Sequence, residues 1–319
     1  MTNYLFRRLL QFIPVLVLVS ILVFGIMRLV PGDVALMILV GPDGQGTVDP
    51  KQLQALRKEL GLDRPLPVQY FEWTGNMLKG DFGKSLRTNT SVFHEIKDRF
   101  PVTFEIVTLT TIISVLIALP LGILMAIRQD SWVDYIARVV SIAGLAMPTF
   151  WVATLMLLFM VIWFTWIPPL GYKEFWKSPW VNIQQVIWGC LALGYFLAAV
   201  IARMTRSTLL EVLRQDYIRT AWAKGLRERT VVIRHALKNA VLPVVTIIGI
   251  QYAALFGGTV IMESIWNLPG LGSALIQAVS FRDYPMVQGL VMLFALIVLV
   301  ANLLVDMLYA WLDPRVRYT

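Results

Sequence analysis

The chain has 319 residues, 57% of them hydrophobic before its 21 glycines are counted, and only 15% charged. Soluble globular domains carry about 25% charged residues, so a water-soluble protein is excluded. The net charge of +8 would suit a nucleic-acid binder, but the placement of the basic residues assigns it to membrane topology, and no nucleic-acid partner is expected.

Six stretches contain no Asp, Glu, Lys or Arg: 9–27, 106–127, 139–172, 178–202, 239–262 and 284–305. About 20 apolar residues in a helix cross the ~30 Å hydrocarbon layer. The pattern predicts an all-α polytopic membrane protein with six transmembrane helices. The first run is longer than a signal-peptide core, and no small-x-small cleavage site directly follows it, so a retained helix is expected. With the N-terminus inside, the short inner segments 1–8, 128–138, 203–238 and 306–319 hold 15 Lys and Arg. The short outer segments 163–177 and 263–283 hold 3. The positive-inside rule then places both termini in the cytoplasm. Three regions follow: a tail with helix 1 (1–27), an extracytoplasmic loop subdomain (28–100), and a five-helix core (101–319) containing the loop 203–238.

The outer loop after helix 1 is too long for a connector. Asp49 and Pro50 open a helix carrying Leu53, Leu56 and Leu60, which Gly61 ends. A second short helix is expected over 68–78, a turn at Gly80–Gly83, and a third helix over 90–99. This small folded cap either stiffens the external mouth or receives a solute-delivery partner. Further on, Pro120 in helix 2 and Met147-Pro148 in helix 3 should bend or loosen the backbone ladder.

The inner loop 203–238 has nine basic and three acidic residues. Leu209, Val212 and Leu213 form one stripe, Tyr217, Ala221 and Lys224 another, and Gly225 closes the pattern as a C-cap would. A helix over 209–225 is expected, and a second from about 228. Such an element either lies on anionic membrane lipid or docks a cytoplasmic protein. Its charges fall on several faces, which favours the protein.

The charge-free run 264–281 contains Asn267, Pro269, Gly270, Gly272 and Gln277, and reads as an external turn followed by a short or re-entrant helix. Polar groups within the spans are costly against lipid and mark pathway candidates. Gln251 and Tyr252 are assigned to the lumen. Glu263, Trp266, Pro269 and Gly270 are assigned to an external gate. Glu105 marks the outer start of helix 2, and Asp306 an ion pair or helix contact near the inner interface. The chain has no Gly-x-x-x-x-Gly-Lys-Ser/Thr phosphate loop, and the topology puts the membrane between His94 and His235. No catalytic, cofactor or metal site is therefore expected, and Cys190 is a packing residue.

Asp216-Tyr217-Ile218-Arg219-Thr220-Ala221, Gly225, His235-Ala236-Leu237-Lys238-Asn239-Ala240 and Leu242-Pro243-Val244-Val245-Thr246 resemble the hallmark cytoplasmic loop of binding-protein-dependent ABC importer permeases. Arg219-Thr220-Ala221 stands where many members have Glu-Ala-Ala. The resemblance spans nearly the whole chain: Leu29-Val30-Pro31-Gly32-Asp33, Leu60-Gly61-Leu62-Asp63, Gly80-Asp81-Phe82-Gly83-Lys84-Ser85, Trp266-Asn267-Leu268-Pro269-Gly270-Leu271-Gly272, Arg282-Asp283-Tyr284-Pro285, Asn302-Leu303-Leu304-Val305-Asp306 and Asp313-Pro314-Arg315-Val316-Arg317-Tyr318. It is to the first (B-type) permease of the dipeptide/oligopeptide/nickel importer group. One departure is the start of helix 4, Asn182-Ile183-Gln184-Gln185, where relatives usually have a His, and a Pro inside the helix.

The resemblance implies a bacterial inner-membrane protein paired with a sister permease, two cytoplasmic ATP-binding subunits that hold ATP and Mg, and an extracytoplasmic solute-binding protein. It also implies that Leu213, Tyr217, Arg219, Thr220, Ala221, Lys224 and Gly225 couple this chain to the ATPases. Di- or oligopeptides are the expected solutes, with glutathione-like peptides or nickel complexes as alternatives. From other classes, an ion-coupled secondary transporter would need mid-membrane carboxylates, which the six runs lack. A membrane scaffold would use the inner loop as a static dock.

Overall fold

The structure is a computed structural model that describes residues 2–29, 34–40, 48–59 and 61–312. Leu60, the Val30–Asp33 part of the first signature and the terminal signature from Asp313 lie outside the described residues. The described chain is helical throughout. Its β pairing is one isolated bridge, Lys84 to Ser91.

Two compact units share the chain, Met1–Pro101 with Gly270–Leu299, and Val102–Pro269 with Val300–Thr319. The first contains α1 (Thr2–Leu29), α2 (Val34–Val40), α3 (Pro50–Glu59), α4 (Leu66–Leu78), the first turns of α5 (Val92–Ile127), α12 (Leu271–Ser280) and most of α13 (Tyr284–Leu312). Asp49 Oδ1 accepts from Lys51 N at 2.9 Å at the entry to α3. After α3, Gly61 is left-handed at φ 64°. On α1, the Ser20 and Tyr70 hydroxyls pair at 2.8 Å, and Phe24 meets the Tyr70 ring edge-on. The apolar core joins Val23 and Met27 of α1, Val92 and Ile96 of α5, Leu271 and Ala274 of α12, and Leu290 of α13.

Asp283 is the polar knot of this unit. Its buried carboxylate accepts from the Ser85 hydroxyl, from Leu86 N at 3.1 Å and, as the N-cap of α13, from Met286 N at 3.3 Å. Two short signatures nearly 200 residues apart in sequence are thereby tied together.

In the second unit α8 (Pro179–Leu213) is central, with α6 (Trp132–Ala146), α7 (Thr149–Phe164) and α11 (Leu237–Ile265) around it. Three apolar clusters follow α8 along its length, around Val186 and Leu193, then Leu197 and Ile201, then Leu209 and Val212. Lipid offers no hydrophobic drive between helices, so close backbone approach matters instead. A Cβ added to Gly122 of α5 would lie 2.7 Å from the Ala202 carbonyl oxygen.

Among the described residues, five helices are long and apolar enough to span a membrane, and a bent pair brings the total to as many as six. The expected helix 3 is that pair. α6 and α7 meet at 105°, so Pro148 breaks the helix rather than loosening it. Proline pushes the residue before it out of the α region, and Met147 is extended at φ −89°, ψ 132°. The helix expected over 90–99 is not separate either. It forms the start of α5, whose 36 residues reach about 54 Å at ~1.5 Å each, well beyond one hydrocarbon layer. Glu95, Lys97, Asp98 and Arg99 occupy the overhang.

Candidate coupling and translocation site

The segment between α8 and α11 differs from the expected helix over 209–225. α8 runs on to Leu213, the chain breaks at Arg214 and Gln215, and a separate α9 covers Asp216–Ala223. Glu228–Thr230 (α10) and a π-helical stretch, Val231–Ala236, then lead without a break into α11. A π-helical stretch widens the turn and is frequent at functional sites.

α9 is amphipathic in the literal sense. Ile218 and Ala221, three apart, are buried in a cluster with Leu209, Val212, Val231 and Ala236. On the opposite side Asp216, Arg219, Thr220 and Ala223 are open. Tyr217 and Trp222 flank this strip, 39% and 44% exposed. Arg219 pairs with Asp216 at 3.1 Å, both largely in solvent. The Tyr217 hydroxyl accepts from Asn239 Nδ2 at 2.7 Å, which ties α9 to α11.

The helix ends in a Schellman motif. Gly225 N–H donates to Trp222 O at 2.9 Å and Leu226 N–H to Ala221 O at 3.4 Å, with Gly225 left-handed at φ 73°. Of the seven residues assigned to coupling, Tyr217, Arg219, Thr220, Lys224 and Gly225 are exposed, Leu213 is half-buried and Ala221 belongs to the core. Ile218, Trp222 and Asn239 are the members that sequence reasoning missed. The i, i+3 spacing of Ile218 and Ala221 was the available signal.

A second feature has no sequence signature. Asp134, fully buried near the start of α6, accepts two bonds from Arg206 of α8, at 2.8 and 2.9 Å, and one from Arg138 at 2.9 Å. The amide of Asp130 adds a fourth at 3.0 Å. This bidentate, fully satisfied pair clamps α6 to α8.

Along α11 the lumen and gate candidates separate. Gln251 and Tyr252 are half-buried at mid-helix, where the Tyr252 hydroxyl meets Thr108 Oγ1 at 3.2 Å. Glu263 is fully buried, three turns further on, and accepts from Thr103 Oγ1 at 2.6 Å. Trp266 is buried beside Met262 and Leu268, and Pro269 is exposed. Gly270, in the other compact unit, is the N-cap position of α12, and its carbonyl accepts from the Ser273 hydroxyl at 2.9 Å. These six residues form no single cluster.

The loop before α8 is held by polar side chains. Tyr172 donates to Glu105 Oε2 at 2.7 Å; burial and that carboxylate push the phenol's pKa up, so it stays a donor. Gln185 Nε2 donates to the carbonyls of Pro169 and Gly171, at 2.8 and 2.9 Å, and Asn182 Nδ2 donates to that of Lys173 at 3.0 Å. The unusual start of helix 4 therefore serves as a clasp for this loop. No group of three or more metal-ligating side chains occurs among the described residues.

The family described as "Binding-protein-dependent transport system inner membrane component" matches residues 118–318. The chain belongs to this family. A companion N-terminal family of the same transport systems matches residues 1–107. The protein is thus a permease subunit of a binding-protein-dependent ABC importer, a multi-pass protein of the inner membrane. A glutathione transport system permease of Pectobacterium atrosepticum is 39% identical over 318 residues, covering both chains completely. A putative peptide transport system permease of Brucella abortus shows the same identity and coverage. Among solved structures, an inward-facing methionine ABC transporter superposes with a TM-score of 0.54 at 18% identity, over 66% of this chain and 93% of that one. That likeness supports the permease fold.

Proposed function

We propose that this permease forms one half of the translocation path for di- and oligopeptides, glutathione-like peptides among them, and that α9 is the lever through which ATP-hydrolysing partners drive it. The arrangement has a sister permease beside this chain, two cytoplasmic subunits that bind ATP and Mg, and an extracytoplasmic solute-binding protein, with both termini of this chain cytoplasmic. The observation that carries the lever is the open strip of Asp216, Arg219, Thr220 and Ala223 between two half-exposed aromatics, on a helix seated by Ile218 and Ala221. An aromatic-flanked, otherwise polar patch backed by a rigid cluster suits a protein interface better than lipid. Load on α9 would pass into α8 and α11, since both supply its seat. The peptide class is supported by the two full-length relatives, a glutathione permease and a putative peptide permease.

The test is uptake of a labelled dipeptide and of glutathione into vesicles holding the assembled importer. Uptake that requires both ATP and the solute-binding protein is expected. Uptake unchanged when the ATPase subunits are omitted, or a solute-binding protein that carries no peptide, would overturn the proposal.

A further inference from the structure

The loop between α7 and α8 does not cap the helix pair but lies along the side of α8. Its Lys173 carbonyl accepts from Asn182, its Pro169 and Gly171 carbonyls accept from Gln185, and the Trp166 ring meets Trp188 edge-on at 6.1 Å. From Lys173 back to Trp166 the loop thus descends α8 from Asn182 to Trp188, about 9 Å at ~1.5 Å per residue. The level of this stretch can be counted from the other end of α8. Arg203 is the first charged residue on that helix, and it is exposed. About 20 residues cross the hydrocarbon layer, so counting back from Arg203 puts the far boundary near Ile183. Trp166 to Gly171 therefore run below that boundary, and Lys173 is level with it. The other two charges of the loop, Glu174 and Lys177, come after Lys173 and pair with each other at 2.8 Å.

The loop has the polarity of a segment that meets lipid. Its carbonyls at 169, 171 and 173 are turned onto side-chain amides of α8, the Lys173 N–H donates to Gln185 Oε1 at 3.0 Å, and Pro168 and Pro169 have no N–H to satisfy. Its apolar side chains point away from the protein instead: Leu170 and Trp176 are 87% and 88% exposed, and Ile167 and Trp180 are open as well. The last turn of α7, Val161–Phe164, is apolar and exposed at all four positions, about 100° apart around the axis. A docked protein covers one side of such a turn and leaves the others in water, whereas a bilayer covers them all. Tryptophan is enriched where membrane meets water, and Trp163, Trp176 and Trp180 all occur at this end of the α7–α8 pair.

We infer that the loop over 163–180 is a membrane anchor whose partner is lipid, with Ile167 and Leu170 entering the edge of the hydrocarbon layer and Trp176 and Trp180 lying among the headgroups. Through Asn182 and Gln185, and through the Tyr172 hydroxyl on Glu105, the anchor holds α8 and α5 at a set depth. The test uses the assembled importer, with cysteine-free partners, in phosphatidylcholine nanodiscs. In a Cys190→Ala background a nitroxide is attached to Leu170→Cys and to Trp176→Cys. Leu158→Cys on the exposed side of α7 serves as the lipid reference, and Gln52→Cys on polar α3 as the water reference. Power saturation compares collision with oxygen, which partitions into lipid, and with a nickel chelate, which stays in water. The oxygen-to-nickel ratio should exceed that of Gln52→Cys at least threefold at Leu170 and lie between the two references at Trp176. ATPase subunits co-purifying at the wild-type ratio confirm that the variants assemble.

Labels at Leu170 and Trp176 that match the water reference overturn the inference, because the loop then faces solvent or a water-filled path. Labels that collide with neither reagent also overturn it, because a protein partner then covers the loop. A second measurement needs no substitution. Phosphatidylcholine with a diazirine near the headgroup end of an acyl chain is photolysed in nanodiscs holding the unsubstituted importer. The peptide spanning 163–180 should be labelled at least threefold more than the peptide spanning 50–59. Equal labelling of the two overturns the inference, however the cysteine variants fold.

Discussion

Two short helices interrupt the long ones in the C-terminal half, α9 between α8 and α11, and α12 between α11 and α13. They end alike and are supported differently. α12 also closes in a Schellman turn, with Arg282 N–H on Val279 O and Asp283 N–H on Ala278 O at 2.8 Å. The left-handed residue there is Arg282, at φ 54°, where α9 uses Gly225. A non-glycine residue in that region costs about 1–2 kcal/mol. α12 has five buried residues, Leu271, Gly272, Ser273, Ala274 and Ala278, to offset it, whereas α9 has two. The comparison separates two ways of holding a short helix: α12 is anchored on several sides, and α9 is seated on one face with the other open.

The sharpest way to break the contrast is to remove the anchor beyond α12. Asp283→Ala leaves the Ser85 hydroxyl and two amides without their acceptor inside a buried site. Hydrogen bonds to a charged group contribute about 1.5–3 kcal/mol each and are not additive, so a loss of about 3–5 kcal/mol is expected. A thermal melt of the purified chain should fall steeply and its membrane level should drop. A melt within one degree of wild type would show that the knot holds nothing.

Removing the seat of α9 should act differently. Ile218→Ala empties a fully buried position, and large-to-small changes of this kind cost about 2–5 kcal/mol in a core. α9 is a peripheral helix, so about 2 kcal/mol is expected there, chiefly as local detachment. Membrane level should stay near wild type while peptide uptake falls at least tenfold. Uptake and melting that decline together would contradict a lever seated by this residue.

The matched exchange at the two turns sharpens the comparison further. Gly225→Leu places a side chain where the Cβ has open space but the backbone is left-handed, so strain alone, about 1–2 kcal/mol, is introduced. The turn should rearrange, and ATPase stimulation by the solute-binding protein should be lost with the chain still in the membrane. Arg282→Gly relieves the same strain at the other turn. That gain is offset because glycine loses more entropy on folding and because the interaction of the Arg282 side chain is lost, so only a small change in melting temperature, with uptake unchanged, is expected.

These two turns also show what the sequence could reveal. Gly225 was legible because glycine after a periodic run marks a C-cap, but Arg282 carries no such mark and its turn depends on the packing of α12. Pro148 was legible as a disturbance. That it breaks the helix depends on α6 and α7 each finding its own place on α8, which no local pattern encodes. The sequence suggested a separate short helix over 90–99; the structure makes Glu95, Lys97, Asp98 and Arg99 the first turns of the 36-residue α5 instead. Asp134 and Arg206 are 72 positions apart, and one of two acids in a short segment that also holds two arginines does not announce a bidentate partner on another helix. Ile218 stands inside the family signature but was not assigned to the site, because nothing in an ordinary apolar side chain marks it as the seat of α9.

The smallest expected effect on stability tests the open side of α9. Arg219 occupies the position at which many members of the family have Glu, and its pairing with Asp216 is nearly all in solvent. Exposed pairs of this kind contribute little, so Arg219→Ala and Arg219→Glu should both melt as wild type does. Their effects on coupling should diverge. A docked partner excludes water from the strip, and a reversed charge then meets a surface shaped for a cation, whereas alanine only removes an attraction. Uptake should fall a few-fold in Arg219→Ala and further in Arg219→Glu. Raising the ionic strength should narrow the gap between the two variants, because screening weakens the repulsion that separates them. Equal uptake in both, at any salt concentration, would mean that the strip faces water throughout the cycle and that the partners press elsewhere.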